Sequence, residues 1–347
     1  MDQSIVIDGV PLGGNRAYII AEAASNHDGD LDKAKSLIKA AADAGADAVK
    51  FQTFKAKDHY SKYTPDFTYL NKHKKSTYEL IQSLELDREW IAELMQYAKS
   101  LGITFLSTPC DFDAIDLLGN LNIAAFKVSS FDLPDLQLLK QMAKYNKPII
   151  LSTGMANYSD IQFALNTCKE AGNNQIILLQ CTSLYPAPVE ISNLKAIQTI
   201  RDTFGCLVGY SDHTLGDHIP IASVALGSCL IEKHFTLDKN LPGPDHSFAI
   251  EPNELKTMIK RIRDVEKAMG DGIKNGPHKQ EKEMFIKGRR SLHITRDIEK
   301  GEVLQAEDLC VKRPGYGISP QFYENIIGMT IKKSIKEDHW ISWEHFK

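Results

Sequence analysis

From Ala17 onward, short apolar runs of strand length alternate with longer stretches in which apolar residues return every three or four positions. A strand followed by an amphipathic helix, repeated, is the sequence form of a parallel sheet with helical crossovers. The runs fall at 17–22, 48–52, 104–107, 125–128, 148–152, 176–180, 207–210 and 230–234, which makes eight strands. Between them, 31–44, 87–100 and about 254–269 have helical periodicity. Eight strand-helix units predict a closed (β/α)8 TIM barrel, not an open doubly wound sheet, and no GxGxxG follows the first strand.

The helical pattern stops at Gly270-Asp271-Gly272, and 274–287 is polar and rich in Lys, Glu and Gly. The expected organisation is therefore a catalytic barrel over 1–270, a linker over 271–289 and a small β-rich module over 290–347. Turns in that module are expected at Lys300-Gly301-Glu302 and at 313–317. The charge balance, 41 basic against 45 acidic residues, fits neither a nucleic-acid sheath nor a polybasic membrane patch, so small-molecule partners are expected. The six cysteines show no CxxC pair or zinc-like spacing, and Met1–Ser4 begins no basic and apolar leader. No apolar stretch is long enough to span a bilayer, and a cytoplasmic location with reduced thiols is the expectation.

Chemistry in such a barrel sits at the C-terminal mouth, so polar residues that end successive strands should converge there. Glu22 ends the first strand, Lys50 and Gln52 the second, and Thr108 lies just past the third. Lys127 and Ser130, Ser152 and Tyr185 follow, and the last two strands end in Ser211-Asp212-His213 and Glu232-Lys233-His234. Two histidines at matched positions suit an open catalytic metal centre, since imidazole binds Mn, Fe or Zn and two donors leave most positions free. Lys50 and Lys127 have two readings: ion pairs with Glu22 or Glu232, or an anion clamp completed by Ser130, Ser152 and Ser211. Ser211-Asp212 could equally cap the following helix, and Pro242–His246 is either a plain turn or a lid carrying Asp245.

Seven motifs, in this order, resemble the sialic acid synthases almost from Ala17 to the chain's end. They are Ala21-Glu22-x-x-x-Asn26-His27-x-Gly29, Val49-Lys50-Phe51-Gln52, Ser107-Thr108-Pro109, Leu151-Ser152-Thr153-Gly154-Met155, Gly209-Tyr210-Ser211-Asp212-His213-Thr214, Glu232-Lys233-His234-Phe235-Thr236 and Lys312-Arg313-Pro314-Gly315. The resemblance implies a barrel joined to a C-terminal antifreeze-like (SAF) domain, in a domain-swapped homodimer. It implies an enzyme that condenses phosphoenolpyruvate with an N-acetylated amino sugar, giving a nine-carbon sialic-acid-type sugar and phosphate. By the same resemblance His213 and His234 hold a divalent metal, typically Mn2+, with Mg2+ or Co2+ as alternatives. Lys50, Lys127, Ser130, Ser152 and Ser211 hold phosphoenolpyruvate, with Gln52 and Thr108 beside them, and Glu22 positions water or the reacting groups. Tyr185 and Asp245 line the sugar site, and Arg313 of the partner chain binds the N-acetyl side.

The chain departs from many sialic acid synthases at Ser130-Phe131-Asp132, where they carry Ser-Gly-Glu, so the carboxylate expected to meet sugar hydroxyls is one methylene shorter. Ser183 stands where some members have Asn. The acceptors in view are N-acetylmannosamine and 2,4-diacetamido-6-deoxyhexoses, and Pro242–His246 is closer to the neuraminate and legionaminate branches than to the pseudaminate one. Two rival readings are a Schiff-base pyruvate aldolase that uses Lys127 and a non-catalytic ice- or partner-binding C-terminal module.

Overall fold

The computed structural model describes residues 5–67, 70 and 75–347, so Met1–Ser4 lies outside the described residues. The chain divides into two compact units, Met1–Gly270 and Asp271–Lys347. The first opens with a small antiparallel hairpin, β1 (Val6–Ile7) and β2 (Val10–Pro11). Eight strands follow: β3 (Tyr18–Ala24), β4 (Ala48–Thr53), β5 (Thr104–Pro109), β6 (Phe126–Val128), β7 (Ile149–Ser152), β8 (Ile176–Cys181), β9 (Leu207–Asp212) and β10 (Leu230–His234). They pair in parallel, and β10 bonds both β9 and β3, closing the TIM barrel expected from the eightfold alternation. Five strands run one or two residues past the expected runs at the mouth, through Ala23-Ala24, Thr53, Thr108-Pro109, Cys181 and Ser211-Asp212, while β6, β7 and β10 end where the runs do.

The helices form where apolar spacing and caps agree. Leu31–Ala44 starts with the Asp30 side chain accepting from the Lys33 amide. It buries Leu37, Ile38 and Ala41, and ends at Gly45 in the left-handed region. The expected helix at 87–100 is split: a 3-10 turn at Arg88–Trp90, capped by Asp87, precedes Ile91–Ser100. The segment between β4 and that turn carries two short helices, Ala56–His59 and Thr77–Ser83, that periodicity did not disclose. They enclose a separate apolar cluster of Phe54, Leu70, Leu80 and Leu84.

Inside the barrel, the two-residue period of each strand sorts side chains into core-facing and helix-facing sets. Ile19, Ala21, Val49 and Ile231 pack outward against the helices. Tyr18, Ile20, Ala48, Leu106, Ile150 and Leu230 point inward near the strand starts. Ile5, Ile7 and Leu12, from the N-terminal hairpin and the turn after it, pack against that inner set and seal the lower end.

The second unit has its own core, including Leu292, Ile294, Ile298, Leu304 and Ile341. Its regular strands among the described residues are β11 (Ser291–Ile294) and β12 (Leu309–Lys312), an antiparallel pair supplemented by isolated bridges. The stretch expected as a linker belongs to this unit: it forms turns at Lys279–Glu281 and Met284–Gly288, and the Ile286 carbonyl accepts from the Gly315 amide at 2.9 Å. A polar sequence can order in this way when the loop it meets supplies the missing backbone partner.

Candidate active site

One turn of the period above the apolar inner layer, the same strands present Glu22, Lys50, Thr108, Lys127, Ser152, Cys181, Ser211 and Glu232, all buried. Register sets their neighbours: Glu22 lies level with Lys50 and His234, and Glu232 with Ser211. A bulge follows Glu22 in β3, where the register slips by one residue before Ala24, at a positive φ of 47°, pairs with Phe51.

The lysines take the ion-pair arrangement. Lys50 Nζ is 2.7 Å from Glu22 Oε2 and 3.7 Å from Glu232 Oε2, and it donates to Thr108 Oγ1 at 2.9 Å. Lys127 Nζ donates to Ser152 Oγ at 2.7 Å and to the Val128 carbonyl at 3.0 Å, 3.6 Å from Glu232 Oε1. Ser211 Oγ donates to the same Glu232 oxygen at 2.9 Å. Burial pushes Glu22 up to about 8, with Lys50 pulling the other way. For Glu232 the same burial is outweighed by Lys127 and Lys50, which hold it below the usual carboxylate range. Burial lowers Lys127 despite Glu232, whereas Glu22 and Glu232 outweigh burial at Lys50 and raise it.

His213 and His234 converge just above this layer, with ring centroids 5.3 Å apart. His213 Nδ1 lies 2.7 Å from the Thr182 carbonyl; donation there leaves the lone pair on Nε2. His234 Nδ1 is buried without a hydrogen-bond partner, 3.7 Å from Asp245 Oδ2. Burial, then the neighbouring His213, keeps His234 well below the usual imidazole range and so neutral. Burial also pushes the Asp245 carboxyl up to about 6, against His213. Two imidazoles with available lone pairs fit an open divalent centre. Among the described residues no group of three His, Cys, Asp or Glu converges to hold a metal, so water and substrate would complete it.

The rim follows the sequence reading in part. The Tyr185 ring is tilted 43° to that of His213, with centroids 4.3 Å apart, and stands 6.1 Å from His234. Gln52, Thr108, Asp132, Tyr185, His234 and Asp245 line one mouth cavity. Ser130 Oγ accepts from the Gly154 amide at 3.0 Å, and a Cβ on Gly154 would come within 2.3 Å of Ser183 Oγ, which fixes that glycine between two serines. Asp132 accepts from Ser129 Oγ at 2.6 Å. Arg313 is exposed at the end of β12 in the second unit.

The capping alternative for Ser211-Asp212 fails. The next helix is His218–Ala225, behind Asp217, whereas Asp212 accepts from the Thr214 amide and takes the buried Lys233 ammonium at 2.6 Å. Lys233 therefore faces away from the mouth as a structural ion pair. Sequence reasoning missed Cys181, whose thiol is 3.9 Å from His213 Nδ1. Burial would raise that thiol, but His213 outweighs it and the pKa is lowered. The signal was the strand period, which puts Cys181 on the face of Ile177 and Leu179. Asp28 was also missed; its carboxylate lies 3.2 Å from His246 Nε2, pinning the loop at Asp245 to the first strand's exit.

Residues 37–274 match the NeuB family and 289–347 match the SAF domain. The chain is 50% identical to an N,N'-diacetyllegionaminic acid synthase of Campylobacter jejuni, over 94% of this chain and 99% of that protein. It is similar to the crystal structure of a Bacillus subtilis spore coat polysaccharide biosynthesis protein: TM-score 0.69, 40% identity, 99% of each chain. An N-acetylneuraminic acid synthetase of Leptospira borgpetersenii, solved with citrate, gives a TM-score of 0.74 at 33% identity, over 81% of this chain and 94% of that one.

Proposed function

The chain belongs to the NeuB family, and from that premise we propose that it joins phosphoenolpyruvate to an N-acetylated amino sugar, giving a sialic-acid-type nonulosonate and phosphate. The observation that carries the reading is a cluster of buried polar atoms without hydrogen-bond partners at one mouth, Glu232 Oε2, His234 Nδ1 and Ser183 Oγ, beside the buried Lys50–Glu22 ion pair. Folding leaves such atoms unpaired only at a cost, and their convergence marks a site built for a polar ligand.

Phosphoenolpyruvate carries a phosphate and a carboxylate. Lys50 and Lys127 would bind these anions by exchanging their Glu22 and Glu232 partners for substrate oxygens, with Ser152 and Ser211 as neutral donors. A divalent cation on His213 and His234, most simply Mn2+, would supply Lewis acidity toward the sugar aldehyde. C3 of the enol phosphate then attacks that aldehyde, water adds at C2, and the C2–O bond to phosphate breaks. Glu22, able to hold a proton near neutral pH, would donate it to the aldehyde oxygen as C3 attacks and then, as the carboxylate, take one from the water that adds at C2. Tyr185 and Asp245 would orient the sugar, and in a homodimer Arg313 of one copy would meet the N-acetyl group bound by the other.

The test is phosphate release from phosphoenolpyruvate with Mn2+ and a panel of 2-acetamido sugars, with and without chelator. Sugar-dependent, chelator-sensitive release is expected. A borohydride-trapped pyruvate adduct on Lys127, with turnover indifferent to chelator, would instead establish the aldolase and overturn the proposal.

A further inference from the structure

The loop after β10 leaves the barrel at His234 and returns at Ile250. Its two ends stay joined: the Thr236 amide donates to the Ile250 carbonyl at 2.9 Å, and the Ile250 amide to the His234 carbonyl at 3.0 Å. The loop carries Asp245, whose Oδ2 stands 3.7 Å from His234 Nδ1, and Phe248, whose ring centroid lies 5.2 Å from that of His234 and 5.6 Å from that of Tyr185. Between these two residues sits His246, 1% exposed and without a part in the chemistry proposed above. Both of its ring nitrogens are engaged. Nε2 donates to Asp28 Oδ1 at 3.2 Å, and Nδ1 accepts from the Thr236 hydroxyl at 2.6 Å. Carboxylate, imidazole and hydroxyl thus stand in the order of a proton relay, but Thr236 is wholly buried and its hydroxyl is out of a substrate's reach.

We infer that His246 is a positioning residue: it latches this loop to the exit of the first strand and so fixes Asp245 and Phe248 around His234 and Tyr185. The inference rests on the reaction proposed above and adds to it the group that sets the place of Asp245. Local structure does not hold that carboxylate, because the 3-10 turn His246–Phe248 has no side-chain cap from Asp245. The latch instead joins residues 218 positions apart in the chain. Burial would raise the Asp28 carboxyl, but hydrogen bonds from His246 and Lys33 hold it below its usual range, so the anchor is an anion and its bond to the imidazole is charge-assisted. Gly243 passes directly over the pair. A Cβ there would lie 2.6 Å from His246 Cδ2 and 3.3 Å from Asp28 Oδ1, so glycine is what lets the loop lie this close.

The experiment uses the full chain with Mn2+ and the best acetamido sugar of the panel, measuring KM for that sugar and for phosphoenolpyruvate separately. His246→Leu keeps the buried volume but makes neither bond, and the Thr236 hydroxyl retains the Asp238 carbonyl at 3.2 Å as an acceptor. It should raise the KM for the sugar roughly tenfold to a hundredfold, the cost of a misplaced binding group. The KM for phosphoenolpyruvate should stay within about twofold, since Lys50 and Lys127 stand on β4 and β6. His246→Gln, whose amide nitrogen reaches about as far as Nε2, should donate to Asp28 again and recover most of the loss. Asp28→Ala removes the anchor from the other side, spares the buried ring and should shift the sugar KM in the same direction; it decides the matter if His246→Leu does not fold. Equal rises in both KM values, or a His246→Gln no better than His246→Leu, would make His246 an ordinary core histidine and overturn the inference while leaving the reaction standing. No turnover by the wild type with any acetamido sugar would remove the reaction and the inference together.

Discussion

The lower and upper layers of the barrel interior come from the same eight strands, roughly two residues apart, and do opposite things. Below, Tyr18, Ile20, Ala48, Leu106, Ile150 and Leu230 pack as an apolar core under the N-terminal hairpin. Above, Glu22, Lys50, Lys127 and Glu232 are equally buried but polar, with Glu232 Oε2 left without a hydrogen bond. The lower layer gains free energy from burial, while the upper layer gives some of it up to hold charges where a substrate can meet them. One strand can thus carry stability and chemistry side by side, because its period keeps both on the inner face.

The sharpest break in the comparison is His234→Ala, which should bring phosphate release to the uncatalysed level while the melting temperature stays within a few degrees. Next is Lys50→Met. It leaves Glu22 and Glu232 facing each other without their ammonium, and should cost about 3–5 kcal/mol of stability as well as activity. Adding Glu22→Gln should recover much of the stability in urea denaturation but none of the turnover, separating the layer's two burdens. In the lower layer, Ile150→Ala should cost about 2–5 kcal/mol with kcat per folded molecule nearly unchanged. Loss of kcat there in proportion to stability would erase the distinction between layers.

A pH effect of similar or smaller size tests the exit of the first strand. Burial lowers His27 from its ordinary 6.5 to about 4, and its Nδ1 accepts from the Gly29 amide. The unfolded chain takes up a proton near 6.5 and the folded chain only near 4, so stability is full above the first value and falls as pH drops through that window. The loss approaches about 3 kcal/mol by the lower end. His27→Gln should flatten that slope in urea titrations at pH 7 and pH 4.5. Smallest of all, Asp43→Ala removes the exposed partner of Lys39 on the helix Leu31–Ala44 and should leave melting unchanged within error.

Much of the fold was legible because each barrel strand is a short apolar run bounded by turns, and each crossover helix repeats its apolar face. The ends of those runs also disclosed Glu22, Lys50, Lys127, His213 and His234, since a barrel brings strand ends to one mouth. Less legible was the segment between β4 and the Arg88–Trp90 turn. Its helices are too short for periodicity to stand out, and they are held by the cluster around Phe54 and Leu80. Ser211-Asp212 misled locally, because a cap and a buried ion pair use the same residue types and only the position of Lys233 distinguishes them.

By itself, then, the sequence determined the eightfold alternation, the inner face of each strand and the residue types that reach the mouth, all of which depend on local period. Barrel closure decided the rest: which carboxylate faces which lysine, which histidine nitrogen is left with its lone pair, and that Cys181 abuts His213. Those are distances between strands far apart in the chain, and charge, burial and hydrogen bonding act through distance in space.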